Sequence, residues 1–215
     1  MKIFNMKRIY KILIACEESQ AITIEMRKLW HEAYSCDILP CSWWHPEWHI
    51  QWDAIEEAYS TKYDMMIAHP PCTYLSNAWA RFLYPKGILN NDRLKKWLEA
   101  KEFFLKLWNA PINYLAIENP IPSKIYWLPE YTQTIQPYEH WHPFSKKTCL
   151  WTRNLPKIVP TNIVEYQSTK VAWNWFNKWW KDRQKNRSKT FPWIAKAIAE
   201  QYIDYLDKNN NYLLQ

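Results

Sequence analysis

The chain has 215 residues, of which 48% are hydrophobic and 23% are charged, and its formal net charge is +7. This composition excludes a disordered chain, and the length favours one domain with its own core, basic enough to accept a polyanionic partner. The apolar runs are too short to span a bilayer, residues 1–11 lack the features of a signal peptide, and the five scattered cysteines favour free thiols in a reducing cytoplasm.

Hydrophobic patterns predict strands and helices that alternate along the chain. We expect strands at residues 9–16, 33–39, 63–68, 112–117 and 148–152, and helices at residues 19–29, 55–59, 94–108 and 194–206. Ser19 is the predicted N-cap of the first helix. Such alternation predicts an α/β fold with a mainly parallel sheet. We therefore divide the chain into a core (residues 1–152), a small basic insert (153–190) and a C-terminal helix that returns to the core (191–215).

Polar or reactive side chains follow four of the predicted strands. These are residues 16–19, Asp37, the Pro70-Pro71-Cys72 segment and the Glu118-Asn119 pair. In a parallel α/β sheet, ligands bind beyond the carboxyl ends of the strands, so these groups are expected to converge on one rim. The alternative is that strand ends are polar simply because loops begin there.

Cys72 and Glu118 are the residues in this set that indicate chemistry. Two prolines precede Cys72 and stiffen the backbone that carries its thiol, and a thiolate is a strong nucleophile. Glu118 follows another strand, and a half-buried carboxyl that keeps its proton near neutral pH can protonate a substrate nitrogen. This pairing, without an evident histidine base, is unlike a protease and suits attack on an electron-poor ring that protonation activates.

The order of several motifs resembles that of the DNA cytosine-5 methyltransferases, in the short form found in phages and prophages. The segment Pro70-Pro71-Cys72-Thr73-Tyr74-Leu75-Ser76 resembles the Pro-Cys nucleophile motif of that family, and Glu118-Asn119-Pro120 resembles its Glu-Asn-Val motif. Ser145-Lys146-Lys147-Thr148 stands where the family has a Gln-x-Arg-x-Arg segment. The resemblance covers residues 9–152 and 190–202 and implies a Rossmann-like, S-adenosylmethionine-dependent methyltransferase fold.

The resemblance also implies a role for individual residues. Cys72 would add to C6 of a flipped cytosine, Glu118 would protonate N3, Asn119 would position the loop, and Lys147 would supply a cation near the base. The expected S-adenosylmethionine contacts are Cys16, Glu17, Ser19, Asp37, Asp53 and Pro70, and no metal is implied. The expected partner is double-stranded DNA rather than a membrane. The expected state is a monomer in the cytoplasm of a bacterial host.

The chain departs from the family pattern in its first motif and in its recognition region. The usual glycine-rich first motif is replaced by Ala15-Cys16-Glu17-Glu18-Ser19-Gln20, and Cys149 replaces the second arginine of the basic segment. Only about 40 residues are available for the insert, yet they are strongly basic. The predicted DNA contacts are Ser76, Lys178, Lys181, Arg183, Lys185, Arg187 and Lys189.

Two other functions remain open at this stage. A catalytically silent DNA-binding or decoy protein on the same fold would fit the first motif without glycine. An amino methyltransferase would act on an exocyclic nitrogen of adenine or cytosine, but such enzymes typically carry Asp-Pro-Pro-Tyr where this chain has His69-Pro70-Pro71-Cys72. A zinc site at Cys36, Cys41, His45 and His49 is disfavoured because the cysteine and histidine pairs are separated by too few residues for a zinc finger.

The counts of glycine and tryptophan are anomalous, at 1 and 16 residues. Several tryptophans, among them Trp30, Trp52 and the pairs Trp43-Trp44 and Trp179-Trp180, stand where backbone physics favours glycine. Trp48, Trp151 and Trp175 are typical aromatic positions instead. We interpret the pattern as the result of UGA codons that encode glycine being translated as tryptophan. The alternative is a protein that is rich in tryptophan.

Overall fold

The computed structural model describes residues 8–42, 45–60, 62–166 and 189–212. Seven strands lie within this part of the chain: β1 (Lys11–Ala15), β2 (Glu32–Asp37), β3 (His49–Gln51), β4 (Met65–Ala68), β5 (Tyr114–Pro120), β6 (Gln133–Ile135) and β7 (Thr148–Arg153). The α-helices are α1 (Ala21–Lys28), α2 (Ala54–Ala58), α3 (Asn77–Ala80), α4 (Asn91–Trp108) and α5 (Pro192–Tyr212). Short 3₁₀ turns at Pro46–Trp48, Pro85–Gly87, Lys124–Tyr126 and Pro137–Glu139 connect them.

The strands form one sheet in the order β3-β2-β1-β4-β5-β7-β6. The first five strands in this order are parallel, and β7 runs antiparallel to both β5 and β6. The order 3-2-1-4-5 is that of a Rossmann sheet, and the chain reverses its direction of winding between β1 and β4. The predicted α/β, Rossmann-like fold with a mainly parallel sheet is therefore confirmed.

Helices cover both faces of the sheet because alternate side chains of the buried strands point to opposite sides. On β1, Ile12 and Ile14 join the core beneath α1 and α5, whereas Leu13 and Ala15 join the core beneath α2 and α4. All of these side chains are fully buried. The two cores hold the central strands rigidly, so the loops at their carboxyl ends have well-defined positions.

Each predicted strand and helix has a counterpart in the structure, with bounds that differ by a few residues. Strands β3 and β6 were not predicted, because each has only three residues, too few for a clear pattern. Helix α5 packs in the same core as α1, as expected for a C-terminal helix that returns to the core. Among the described residues, no helix is both long enough and apolar enough to cross a membrane.

Candidate active site

The winding reversal between β1 and β4 places the loops that follow these two strands side by side. His69 continues β4 along β1, since its amide donates a hydrogen bond to the carbonyl oxygen of Ala15 at 2.9 Å. On the other side, β4 pairs with β5 so that Ala68 lies opposite Ile117. The His69–Cys72 segment thus lies between residues 16–20 and the Glu118-Asn119 pair, at the position where Rossmann-like sheets bind ligands.

Two side-chain hydrogen bonds join the segment after β4 to the end of β5. The amide nitrogen of Asn119 donates to the carbonyl oxygen of Pro70 at 2.7 Å, and the bond is buried. Nδ1 of His69 lies 3.2 Å from Oε2 of Glu118. These two contacts connect the backbone immediately before Cys72 to β5. The contact to His69 was not predicted from the sequence.

Cys72 is partly buried and stands at the start of a tight turn. Its carbonyl oxygen accepts hydrogen bonds from the amides of Leu75 and Ser76. Three other cysteines are poor nucleophiles at neutral pH, because burial raises the pKa of Cys36 to about 12, that of Cys149 to about 11, and that of Cys16 well above its usual range. The turn and the proline pair leave Cys72 as the best-placed nucleophile of this rim.

The electrostatics of Glu118 differ from the sequence prediction. Burial would raise the pKa of Glu118, but the hydrogen bond and charge of His69, the charge of Lys146 and the hydroxyl of Thr148 together hold it below its usual value. Oε1 accepts from the Thr148 hydroxyl, and Oε2 lies within hydrogen-bond distance of Nδ1 of His69. The net shift of the pKa of Glu118 is therefore opposite to the one expected from burial alone, because these neighbours outweigh desolvation.

The pKa of His69 shifts in the direction opposite to that of Glu118. Burial would lower the pKa of His69, but the hydrogen bond and charge of Glu118 and the charge of Glu17 raise it above its usual value, against an opposing contribution from Lys146. The His69 side chain is only 11% exposed and that of Glu118 is 21% exposed, so water screens the pair weakly. The two shifts favour an imidazolium–carboxylate pair at the segment that leads to Cys72.

The two lysines of the basic segment, Lys146 and Lys147, differ in burial and in their charged neighbours. Lys146 is partly buried, and its charge acts on both Glu118 and His69. Lys147, the residue predicted to supply the cation, is exposed, and its charge acts on Cys149. Alternation along an extended segment explains this arrangement, since neighbouring residues point in opposite directions.

The loop after β1 adopts left-handed backbone conformations without glycine. Cys16 and Gln20 have φ values of 59° and 53°. The predicted cap, Ser19, is buried but is not the N-cap, because α1 begins at Ala21 and Gln20 precedes it. The Glu17 carboxylate takes over this role, since it accepts hydrogen bonds from the amides of Ile22 and Thr23 and from the Thr23 hydroxyl.

The predicted cofactor residues differ in how far their side chains are already used in hydrogen bonds within the protein. Glu17 is buried, its pKa is raised by desolvation, and its oxygens are used by α1. Asp53 caps α2 by accepting from the amides of Ile55 and Glu56. Asp37 lies at the end of β2, where burial and the nearby charge of Glu18 raise its pKa. Among the described residues, Oε2 of Glu18 and Oε1 of Gln20 are buried acceptors without a hydrogen-bond partner.

The predicted DNA-contacting residues are only partly within the described chain. Ser76 is 5% exposed, its backbone pairs with Pro122 across an isolated bridge, and its amide donates to the carbonyl oxygen of Cys72. Lys189 is partly exposed just before α5. Lys178, Lys181, Arg183, Lys185 and Arg187 lie outside the described residues.

Comparisons with known proteins leave the family open. No protein family model and no curated protein matches the chain. Among solved structures, it is similar to a protein described as a DNA modification methyltransferase encoded within a prophage (E. coli), with a TM-score of 0.43 and 10% identity. The match covers 73% of this chain and 52% of that one, so this chain spans about half the length of that protein.

Proposed function

We propose that the chain is a DNA cytosine-5 methyltransferase that uses S-adenosylmethionine. The observation that supports this most is the joining of the Cys72 segment to β5 by the bonds Asn119–Pro70 and His69–Glu118. A thiol on a stiff turn and a carboxyl group held beside it are what covalent activation of cytosine requires. The motif order described above supplies the substrate class.

Acceptor atoms near this rim fit the cofactor. Its amino group and ribose hydroxyls are hydrogen-bond donors, Oε2 of Glu18 and Oε1 of Gln20 are buried acceptors without a partner, and Asp37 at the end of β2 is a carboxylate that accepts from the amide of Leu39. We therefore assign these three residues to cofactor binding. Glu17 and Asp53 would support the loops that carry them. When bound, S-adenosylmethionine supplies an electrophilic methyl group.

The chemistry of the chain itself begins with a cytosine turned out of the duplex. The Cys72 thiolate donates an electron pair to C6, and N3 takes up a proton delivered through Glu118. C5 becomes nucleophilic and gains the methyl group. The C5 proton then leaves to a base, and the C6–sulfur bond breaks, which returns the electron pair to Cys72. The positive charge of Lys146 lowers the pKa of Glu118, so it favours release of the proton from Glu118 to N3.

The arrangement disfavours transfer to an exocyclic amino group. Such a reaction needs acceptors for the amino hydrogens of the base at the end of β4. His69 stands at the position where amino methyltransferases carry an acidic residue. The ring is already paired with Glu118, and its raised pKa favours the protonated form, which offers no acceptor.

A silent, DNA-binding protein is disfavoured by the loop after β1. The absence of glycine was the reason to consider that alternative, yet Cys16 and Gln20 adopt the left-handed conformations themselves. The loop can thus form without glycine, and open acceptors line it. Cys72 and Glu118 are both present, and hydrogen bonds join His69 to Glu118 and Asn119 to Pro70, which connects the segment of Cys72 to β5.

Nucleoside analysis tests the proposal. Duplex DNA of mixed sequence is incubated with the protein and S-adenosylmethionine that carries a labelled methyl group, then digested and resolved by mass spectrometry. We expect 5-methyldeoxycytidine from the unaltered chain and from Cys41→Ser, and none from Cys72→Ser. Label in N4-methyldeoxycytidine or N6-methyldeoxyadenosine would overturn the assignment in favour of an amino methyltransferase. DNA binding without any methylated nucleoside would favour the silent alternative.

A further inference from the structure

The reaction proposed above needs a proton at Glu118 that the structure does not place there. Both carboxylate oxygens accept hydrogen bonds, Oε2 from His69 and Oε1 from Thr148. An ionised carboxylate has no hydrogen of its own to donate. The proton that reaches cytosine N3 must therefore come from a neighbour of Glu118.

His69 is the titratable neighbour in hydrogen-bond contact with Glu118 among the described residues. Its Nδ1 lies 3.2 Å from Oε2, and the two side chains are mostly buried. The charged groups that face the imidazole are Glu118 on β5, Glu17 in the loop after β1 and Lys146 in the segment before β7. The two carboxylates favour the imidazolium, and Lys146 opposes it.

We propose that His69 is a positioning residue that stores the active-site proton and returns it to Glu118 when cytosine is attacked. As the Cys72 thiolate bonds to C6, the displaced electron pair moves to N3. The Nδ1 proton of His69 moves to Glu118, and Glu118 passes one proton to N3, so His69 becomes neutral and Glu118 is ionised again. On elimination, the same protons move back and His69 is again charged. This inference rests on the proposed cytosine-5 chemistry and extends it by one residue.

The active form in this scheme carries one proton on the His69–Glu118 pair, so the addition step should fail when that proton is lost. We expect the rate at which 5-fluorocytosine DNA is captured in a covalent adduct to decline on the alkaline side, with a midpoint above pH 6.5, the usual value for histidine. In His69→Gln the proton must reside on Glu118 alone, whose usual pKa is 4.5. Burial raises that pKa while Lys146 and Thr148 still lower it, so the alkaline midpoint should move down from that of the unaltered chain.

Histidine NMR provides a second measurement that needs no turnover. The His69 imidazole signal, assigned by its loss in His69→Gln, should titrate above pH 6.5 in the unaltered chain and at a lower pH in Glu118→Gln, because burial then dominates. Two results would overturn the role of His69. One is a pH profile of adduct capture in His69→Gln that keeps its alkaline midpoint while only the rates fall, and the other is a His69 imidazole that titrates below pH 6.5 in the unaltered chain. Failure of the unaltered chain to form any adduct would instead overturn the proposed function.

A separate observation concerns three tryptophans with left-handed backbones. Trp30, Trp127 and Trp141 have φ values of 69°, 50° and 65°. Their exposed fractions are 85%, 81% and 54%, so their rings are poorly packed. Bulky side chains rarely adopt positive φ, whereas glycine does so readily.

The backbone around Trp30 shows most directly why glycine belongs there. Trp30 follows Leu29, the C-cap of α1, and its amide donates to the carbonyl oxygen of Arg27 at 2.9 Å. The amide of His31 donates to the carbonyl oxygen of Met26 at 3.3 Å. This pair of bonds is the Schellman motif, whose left-handed residue is usually glycine.

Other tryptophans occupy sites that suit an indole ring. Trp151 is fully buried, and its Nε1 donates to the carbonyl oxygen of Pro129 at 2.7 Å. Trp48 stacks on His45 with ring centroids 3.8 Å apart. Neither has a positive φ. These five tryptophans therefore fall into two classes, which one misassigned codon explains.

We infer that glycine is the native residue at positions 30, 127 and 141, and that UGA codons read as glycine in the source were translated here as tryptophan. The gene should carry UGA at these three codons and UGG at codons 48 and 151. UGG at codons 30, 127 and 141 would overturn the inference. At the protein level, Trp30→Gly, Trp127→Gly and Trp141→Gly should each raise the urea midpoint of unfolding, and Trp151→Gly should lower it. A lower midpoint for the first three variants would also count against it.

Discussion

The side-chain amide of Asn119 donates a buried hydrogen bond of 2.7 Å to the carbonyl oxygen of Pro70. This bond joins β5 to the segment that carries Cys72, so it couples the position of the thiol to the sheet. The first prediction concerns this bond.

Replacing Asn119 with Ala should weaken both the fold and the reaction. A buried carbonyl that loses its donor costs about 1–3 kcal/mol, and the Cys72 turn would lose its attachment to β5. We expect a lower urea midpoint and a methyl-transfer rate reduced by about tenfold or more, which corresponds to about 1.4 kcal/mol. Asn113→Ala is the matched control, because that exposed asparagine bonds only to Asn154. Equal activity of the two variants would show that the bond has no part in catalysis.

Lys146 and Lys147 should differ in their effect on catalysis. The charge of Lys146 acts on Glu118 and His69, whereas Lys147 is exposed and acts on Cys149. We expect Lys146→Met to lower kcat by about tenfold or more and Lys147→Met to change it by less than about threefold. Steady-state kinetics on one DNA duplex provides the comparison. The reverse order would restore Lys147 as the catalytic cation.

The buried pair of His69 and Glu118 should make stability depend on pH in a defined window. The pKa of His69 is raised, so its contribution is complete below 6.5 and is lost as pH rises through the folded value. The pKa of Glu118 is lowered, so its contribution is complete above 4.5 and is lost as pH falls. Both contributions are therefore present together between about pH 4.5 and pH 6.5.

Urea unfolding across pH 3–9 measures this dependence. The double variant His69→Gln/Glu118→Gln should have a flatter profile than the unaltered chain, because neither group titrates any longer. The exposed pair His45 and Glu47 serves as the control, with Nδ1 of His45 lying 3.0 Å from Oε1 of Glu47. Water screens such a pair, so His45→Gln/Glu47→Gln should leave the profile nearly unchanged. Similar profiles for the double variant and the unaltered chain would contradict the buried charge pair.

The basic insert (residues 153–190) should govern how salt affects DNA binding. Each phosphate contact that is lost reduces the slope of log K against log salt by about 0.9 for duplex DNA. We expect the triple variant Arg183→Ser/Lys185→Ser/Arg187→Ser to bind more weakly and with a shallower slope. The control replaces Lys28, Lys106 and Lys208, which are exposed on helices, with Ser. Equal slopes for the two triple variants would place the DNA contact elsewhere.

The sequence was sufficient to predict the layered fold, because the central strands are continuous apolar runs. Ile12 and Leu13 both lie in buried cores, on opposite faces of the sheet, which is why the strand pattern is unbroken. Strands β3 and β6 are held by pairing with neighbours rather than by their own composition. Their existence is a property of the assembled sheet, so no local pattern indicates them.

The candidate site was predictable in its residues and less so in its charges. Cys72, Glu118 and Asn119 follow strands, and strand ends can be read from a sequence. The protonation of Glu118 depends on His69, which is 49 residues away in the chain, and on Lys146. The register of β4 against β5 would have indicated His69, since it directly follows Ala68 and Glu118 follows Ile117. The role of Glu17 at the start of α1 could not be predicted from the sequence either, because it depends on the left-handed turn at Gln20.

Covalent capture tests the central claim most directly. A duplex that contains 5-fluorodeoxycytidine is incubated with the protein and S-adenosylmethionine, and the products are resolved under denaturing conditions. Fluorine at C5 prevents the final elimination, so the DNA should remain bonded to the protein, and peptide mapping should place the bond at Cys72. Cys72→Ser should give no adduct, and Cys41→Ser should give as much as the unaltered chain. Methyl transfer without an adduct, or an adduct at another cysteine, would contradict the account.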